Sequence, residues 1–120
     1  MTHAGFAQRV RRAATALAAL GVRPGDRVAW MSANHPSALE TLFACGQLGA
    51  IWVPVNARLT APEAQYILQH SGASVVVHGH DVAALAAGLQ DRVQSVSSWI
   101  ADSQLSNLRL RTPSPSIEVE

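Results

Sequence analysis

Apolar residues recur every three or four positions near the start of the chain. Phe6, Val10, Ala13, Leu17 and Leu20 share one side, with Arg9, Arg12 and Thr15 between them, as in an amphipathic helix. Gly21 follows, where helices commonly stop in a left-handed residue. Arg23-Pro24-Gly25-Asp26 reads as a turn, with Pro24 fixing φ and Gly25 supplying a positive φ at the third position. Val28-Ala29-Trp30-Met31 is a short continuous apolar run, as in a strand covered on both faces. Asn34 or Ser32 can cap a second helix from about Pro36 to Leu48, whose apolar face of Leu39, Leu42, Phe43, Gly46 and Ala50 predicts that it is mostly buried.

Ile51-Trp52-Val53-Pro54-Val55 predicts a second strand, with Pro54 marking an edge, a bulge or the strand end. Asn56 to Leu59 form a loop. Thr60-Ala61-Pro62-Glu63 predicts a capping box opening a third helix that runs to about Ser71, with Ala64, Ile67 and Leu68 inward. Ser74-Val75-Val76-Val77-His78 predicts a third strand. Asp81 is placed to cap a fourth helix over Val82 to Gln90, and Val93-Gln94-Ser95-Val96 offers a fourth strand. Strands starting near 28, 51 and 74 with helices between them are spaced as βαβ units. The expected fold is therefore α/β: an open parallel sheet of three to four strands with flanking helices. Residues 1–100 form the expected subdomain and 101–120 a poorly ordered tail, with Thr112 to Glu120 frayed.

Composition narrows the chemistry. The 120 residues are 48% hydrophobic and 14% charged, with mean hydropathy +0.13, which excludes disorder and is apolar for a small domain standing alone. Net charge is +1, so no nucleic-acid partner is expected. All nine basic residues are Arg. The absence of Lys excludes a Walker-type phosphate loop and a Schiff-base mechanism. Cys45 is the single cysteine, so no intramolecular disulfide or Cys-based zinc site can form. It sits among apolar neighbours and reads as a buried, inert thiol. No transmembrane segment or signal peptide is visible, and a cytoplasmic setting is expected.

Leu20-Gly21-Val22-Arg23-Pro24-Gly25-Asp26-Arg27-Val28-Ala29 resembles the opening motif of the AMP-forming acyl-CoA synthetases, the adenylate-forming ligases. Asn34, the stretch Gly49 to Leu59, Glu63, Tyr66-Ile67-Leu68 and Ser71-Gly72-Ala73 follow in that family's order, so the likeness spans residues 3 to about 79. The resemblance implies a partial N-terminal subdomain of a large α/β domain. It also implies chemistry in which a carboxylic acid, of the fatty-acid or medium-chain kind, is joined to AMP and then passed to a thiol. ATP, Mg and coenzyme A are implied for the intact family. The family's phosphate loop, its later Thr-Glu motif, its ribose-binding Asp and its C-terminal Lys have no counterpart here. The chain alone is thus expected to be catalytically incomplete, with no catalytic residues and no cofactor of its own. The alternative is an interaction module that associates with a separately encoded remainder of the ligase or forms a homodimer. A stand-alone flavodoxin-like ligand-binding domain ranks last, since no Gly-rich loop follows the first strand.

Ligands of open parallel sheets gather beyond the carboxyl ends of the strands. Those ends carry Asn34, His35, Asn56 and Arg58, the candidate rim, with His78 and His80 further along. Helix capping and loop chemistry account for the same residues. His78, His80 and Asp81 have a spacing that metals use, but with no third ligand placed, no metal site is expected. Trp30, Trp52 and Trp99 each lie in apolar runs and are expected to pack in the core.

Overall fold

The computed structural model describes residues 3–33 and 36–105. The order is α1 (His3–Ala19), β1 (Arg27–Ser32), α2 (Pro36–Leu48), β2 (Ile51–Asn56), α3 (Ala61–Ser71), β3 (Val75–His78), a 3-10 turn (His80–Val82), α4 (Ala83–Leu89) and β4 (Ser98–Ala101). The strands form one sheet in the order β2-β1-β3-β4. Every adjacent pair is parallel, with Trp30 opposite both Pro54 and Val77 and Val76 opposite Trp99.

Strand alternation sends successive side chains to opposite faces. Val28, Trp30, Val75, Val77 and Ile100 pack with Val10, Ala13, Leu17, Ala44 and Cys45 of α1 and α2. Ala29, Met31, Val55 and Val76 pack on the other face with Ala64 and Leu68 of α3 and Ala86 and Leu89 of α4. Both faces of β1 and β3 are thus covered, which accounts for their unbroken apolar runs. Trp30 is buried in the first cluster, Trp52 is half-buried against that cluster, and Trp99 is half-buried against the second.

The punctuation follows local chemistry. In the turn before β1 the Asp26 amide donates to the Arg23 carbonyl at 3.0 Å, and Gly25 adopts φ 88°, a conformation that glycine enters without steric cost. At α3 the Thr60 hydroxyl accepts from the Glu63 amide and the Glu63 carboxylate accepts from the Thr60 amide at 2.9 Å, completing the expected capping box. β2 lies at the sheet edge, as Pro54 suggests. The Ile51 amide points to the Asp26 carbonyl at 2.7 Å. Alternation then puts position 54, which has no N–H, on the outer side of β2.

Three expectations are corrected. The fourth strand is Ser98–Ala101, not Val93 to Val96. The Val93 amide is used in the turn closing α4, donating to the Leu89 carbonyl at 3.2 Å, and Val93 and Val96 plug the second cluster from a loop. Pairing starts later, where the Ser97 amide meets the Ser74 carbonyl at 2.8 Å. Asp81 does not cap α4, whose first turn has no side-chain cap. The 3-10 turn carries its carboxylate over the end of β1 instead. Finally, α2 buries Glu40, Thr41, Ala44 and Cys45, whereas Leu39 is 54% and Phe43 51% exposed. The side of α2 read as inward faces out. Of the segment 101–120, Ala101 closes β4 and Leu105, in a helical turn over 102–105, is buried against the first cluster. Residues 106–120 lie outside the described residues.

Candidate functional site

All four strands point their carboxyl ends to one rim. The chain leaves β1 toward β2 on one side, and β3 pairs on the other, so the topological switch lies between β1 and β3, the crevice where such sheets usually hold ligands. Here the protein fills that crevice itself. The Ser32 hydroxyl donates to Asp81 Oδ1 at 2.7 Å, and the Ala33 amide donates to Asp81 Oδ2 at 3.0 Å. The Gly79 amide donates to the Met31 carbonyl at 2.9 Å, continuing the ladder past β3. Gly79 is buried beneath this clasp, and a Cβ there would collide with the Ser32 hydroxyl.

Open space lies one strand away. A groove of about 630 Å³ runs over the ends of β1 and β2, walled by Trp30, Trp52, Pro54 and Ala38 and rimmed by Ser32, Asn56 and Arg58. Asn56 ends β2, and its Oδ1 accepts from the Arg58 amide at 2.8 Å, holding the loop in an Asx turn. Both residues are exposed. Trp52 Nε1 is buried without a hydrogen-bond partner among the described residues. The structure therefore brings Asn56 and Arg58 together at one groove. His78 and His80 do not line it; His78 Nδ1 lies 3.3 Å from the Gly79 carbonyl oxygen. Asn34 and His35 lie outside the described residues.

The donor set at this rim does not fit a magnesium–triphosphate group. Arg58 is the one cationic side chain among the groove's described lining residues, and no cluster of three or more His, Cys, Asp and Glu occurs among the described residues. A second gap, of about 90 Å³ between α1 and α2, includes Arg9, but its guanidinium is bound to Glu40 at 2.6 Å. That hydrogen bond and the carboxylate charge raise the Arg9 pKa above its ordinary value. Sequence reasoning missed the Ser32–Asp81 clasp and the tryptophan-walled groove. An acidic residue just past β3 was the available signal for the first.

Cys45 is fully buried, and desolvation pushes its thiol from about 9 up to about 11. Between those values the folded chain keeps a proton that the unfolded chain gives up. Stability on this account is intact below pH about 9 and falls as pH rises toward about 11. Thiol reagents at pH 8 should label Cys45 only as fast as the chain unfolds, and Cys45→Ala should flatten the alkaline fall in melting temperature. Prompt labelling of the native chain, or an unchanged alkaline slope, would contradict this.

The sequence model of the AMP-binding enzymes matches residues 1–118. This chain belongs to that family. It is 52% identical over 108 residues to a feruloyl-CoA synthase from an Amycolatopsis species, covering 87% of this chain. It is 38% identical over 113 residues to the long-chain-fatty-acid–CoA ligase FadD13 of Mycobacterium tuberculosis, covering 91% of this chain. It spans 22% of the length of each. Among solved structures it is similar to the inhibitor-bound N-terminal domain of FACL13 from Mycobacterium tuberculosis, with a TM-score of 0.86 and 36% identity, covering 95% of this chain and 29% of that one. An anthranilate-CoA ligase bound to anthranoyl-AMP has the same fold over this region, at 23% identity and a TM-score of 0.86. The chain thus corresponds to an N-terminal portion of the acyl-CoA ligases. No helix among its described residues is long and apolar enough to cross a membrane.

Proposed function

We propose that these residues are the N-terminal scaffold of an ATP-dependent acid–CoA ligase and do not form acyl-adenylate by themselves. The observation that carries this reading is the family match over residues 1–118 in a sequence without a single Lys. Adenylation develops charge on the transferring phosphorus, and enzymes meet it with preorganised cations and amide donors. Arg58 is the sole cation at the described groove, and the clasp of Ser32, Ala33 and Asp81 consumes the donors at the neighbouring crevice. The intact ligase, on this reading, activates a carboxylic acid with an apolar body, then hands the acyl group to the coenzyme A thiol. Ferulate is favoured over a long-chain fatty acid, supported by 52% identity to the feruloyl-CoA synthase against 38% to FadD13.

The purified 120-residue chain, given ATP, magnesium and ferulate or palmitate, should exchange labelled pyrophosphate into ATP at background only. Exchange that requires the acid and follows the homogeneous chain through purification would overturn the proposal.

A further inference from the structure

The outward face of α2 is largely apolar, with the exposed Gln47 at its margin. Leu39, Leu42, Phe43 and Gly46 occupy one stripe at helical spacing. The helix carries one charge, Glu40, and that charge is turned inward to Arg9. With Ala44 and Cys45 buried on the opposite side beside the Arg9-paired Glu40 and Thr41, α2 offers apolar side chains in both directions, as a helix covered from both sides does. Phe6 of α1 meets Phe43 edge to face at 5.7 Å, which extends the patch onto the neighbouring helix. Gly46 adds an independent sign. A Cβ there would meet nothing within 4 Å, so nothing around it requires a residue that weakens a helix interior. A layer packed closely on this face would require it.

We propose that this face of α2 seats the remainder of the adenylating domain: the polypeptide layer corresponding to the part of the FACL13 N-terminal domain that this chain does not cover. The proportions favour this occupant, because the chain aligns over 95% of itself yet over only 29% of that chain. The proposal rests on the scaffold reading above and names the surface through which the scaffold acts.

The test co-expresses the 120-residue chain, tagged, with the Amycolatopsis feruloyl-CoA synthase from which the matching 108-residue segment has been deleted. The two should co-purify one to one. Leu39→Asp with Phe43→Asp should weaken the pair about 100-fold or more, the scale of losing two buried anchors, while the isolated chain melts within a few degrees of its parent. Gly46→Leu separates docking from folding. It should raise the melting temperature of the isolated chain by a few degrees and still weaken the pair at least about tenfold by filling the close approach. The proposal falls if the unsubstituted chain binds nothing, or if binding survives the Asp pair. It also falls if the isolated chain forms a dimer that the Asp pair dissociates, which gives the face to a second copy. Ferulate-dependent pyrophosphate exchange by the purified pair reads the functional assignment separately: a bound but inactive pair sinks that assignment and leaves the seat standing.

Discussion

Trp30→Ala should cost about 3–5 kcal/mol, the range for truncating a large buried aromatic. Trp30 is 3% exposed at the middle of β1, opposite Pro54 on one side and Val77 on the other. Its ring joins α1, α2 and the sheet in one cluster. Domains of this size hold about 5–15 kcal/mol in total, so the variant should lose a large share of its denaturant midpoint. The half-buried Trp99 gives the contrast: Trp99→Ala removes a ring that lies on the flank of the second cluster and should cost clearly less. Chemical denaturation of both variants decides the matter, and equal losses would mean that β1 is not the centre of the core.

Gly79→Val should destabilise by about 2–3 kcal/mol, the cost of forcing atoms into a filled site. The backbone there is ordinary extended chain, φ −81° and ψ 169°, so glycine is not needed for its conformation. Space is the constraint. A Cβ would lie 2.5 Å from Asp81 Oδ1, 2.8 Å from Ser32 Cβ and in collision with Ser32 Oγ. The clasp must therefore open, leaving the Ala33 amide without its carboxylate. Adding Ser32→Ala removes one colliding atom and should recover about 1 kcal/mol, a coupling typical of residues in contact. Strictly additive losses in the double variant would show that the clasp is not what the side chain strikes.

The architecture was readable because the strongest local signals coincide with it. Three valines in β3 and the run around Trp30 are apolar on consecutive positions, which only a doubly covered strand explains. Thr60 and Glu63 stand three apart and face only each other's amides, so the start of α3 followed from neighbours in sequence. The site was harder to read. Ser32 and Asp81 are 49 residues apart, and a carboxylate two residues before a helix looks like a cap until the fold brings β1 beside it. α2 defeats periodicity for a different reason. Its inward side carries Glu40 and Thr41 beside Ala44 and Cys45, so hydrophobic spacing selects the opposite stripe of Leu39, Leu42 and Phe43. Val93 and Val96 carry a strand's composition but are pinned by the turn after α4, where burial came from loop packing and not from pairing. Of the candidate rim, Asn56 and Arg58 stand two residues apart, so the bond from the Arg58 amide to Asn56 Oδ1 is local and within reach of the sequence.

Pro54 has a consequence for how such a sheet behaves in a crowded cell. The outer margin of β2 is missing a rung halfway along, so an extended segment from another molecule cannot zip onto it without interruption. Growth into a fibril from this side is discouraged by covalent structure alone, even though the flank of the same layer is oily enough to attract company.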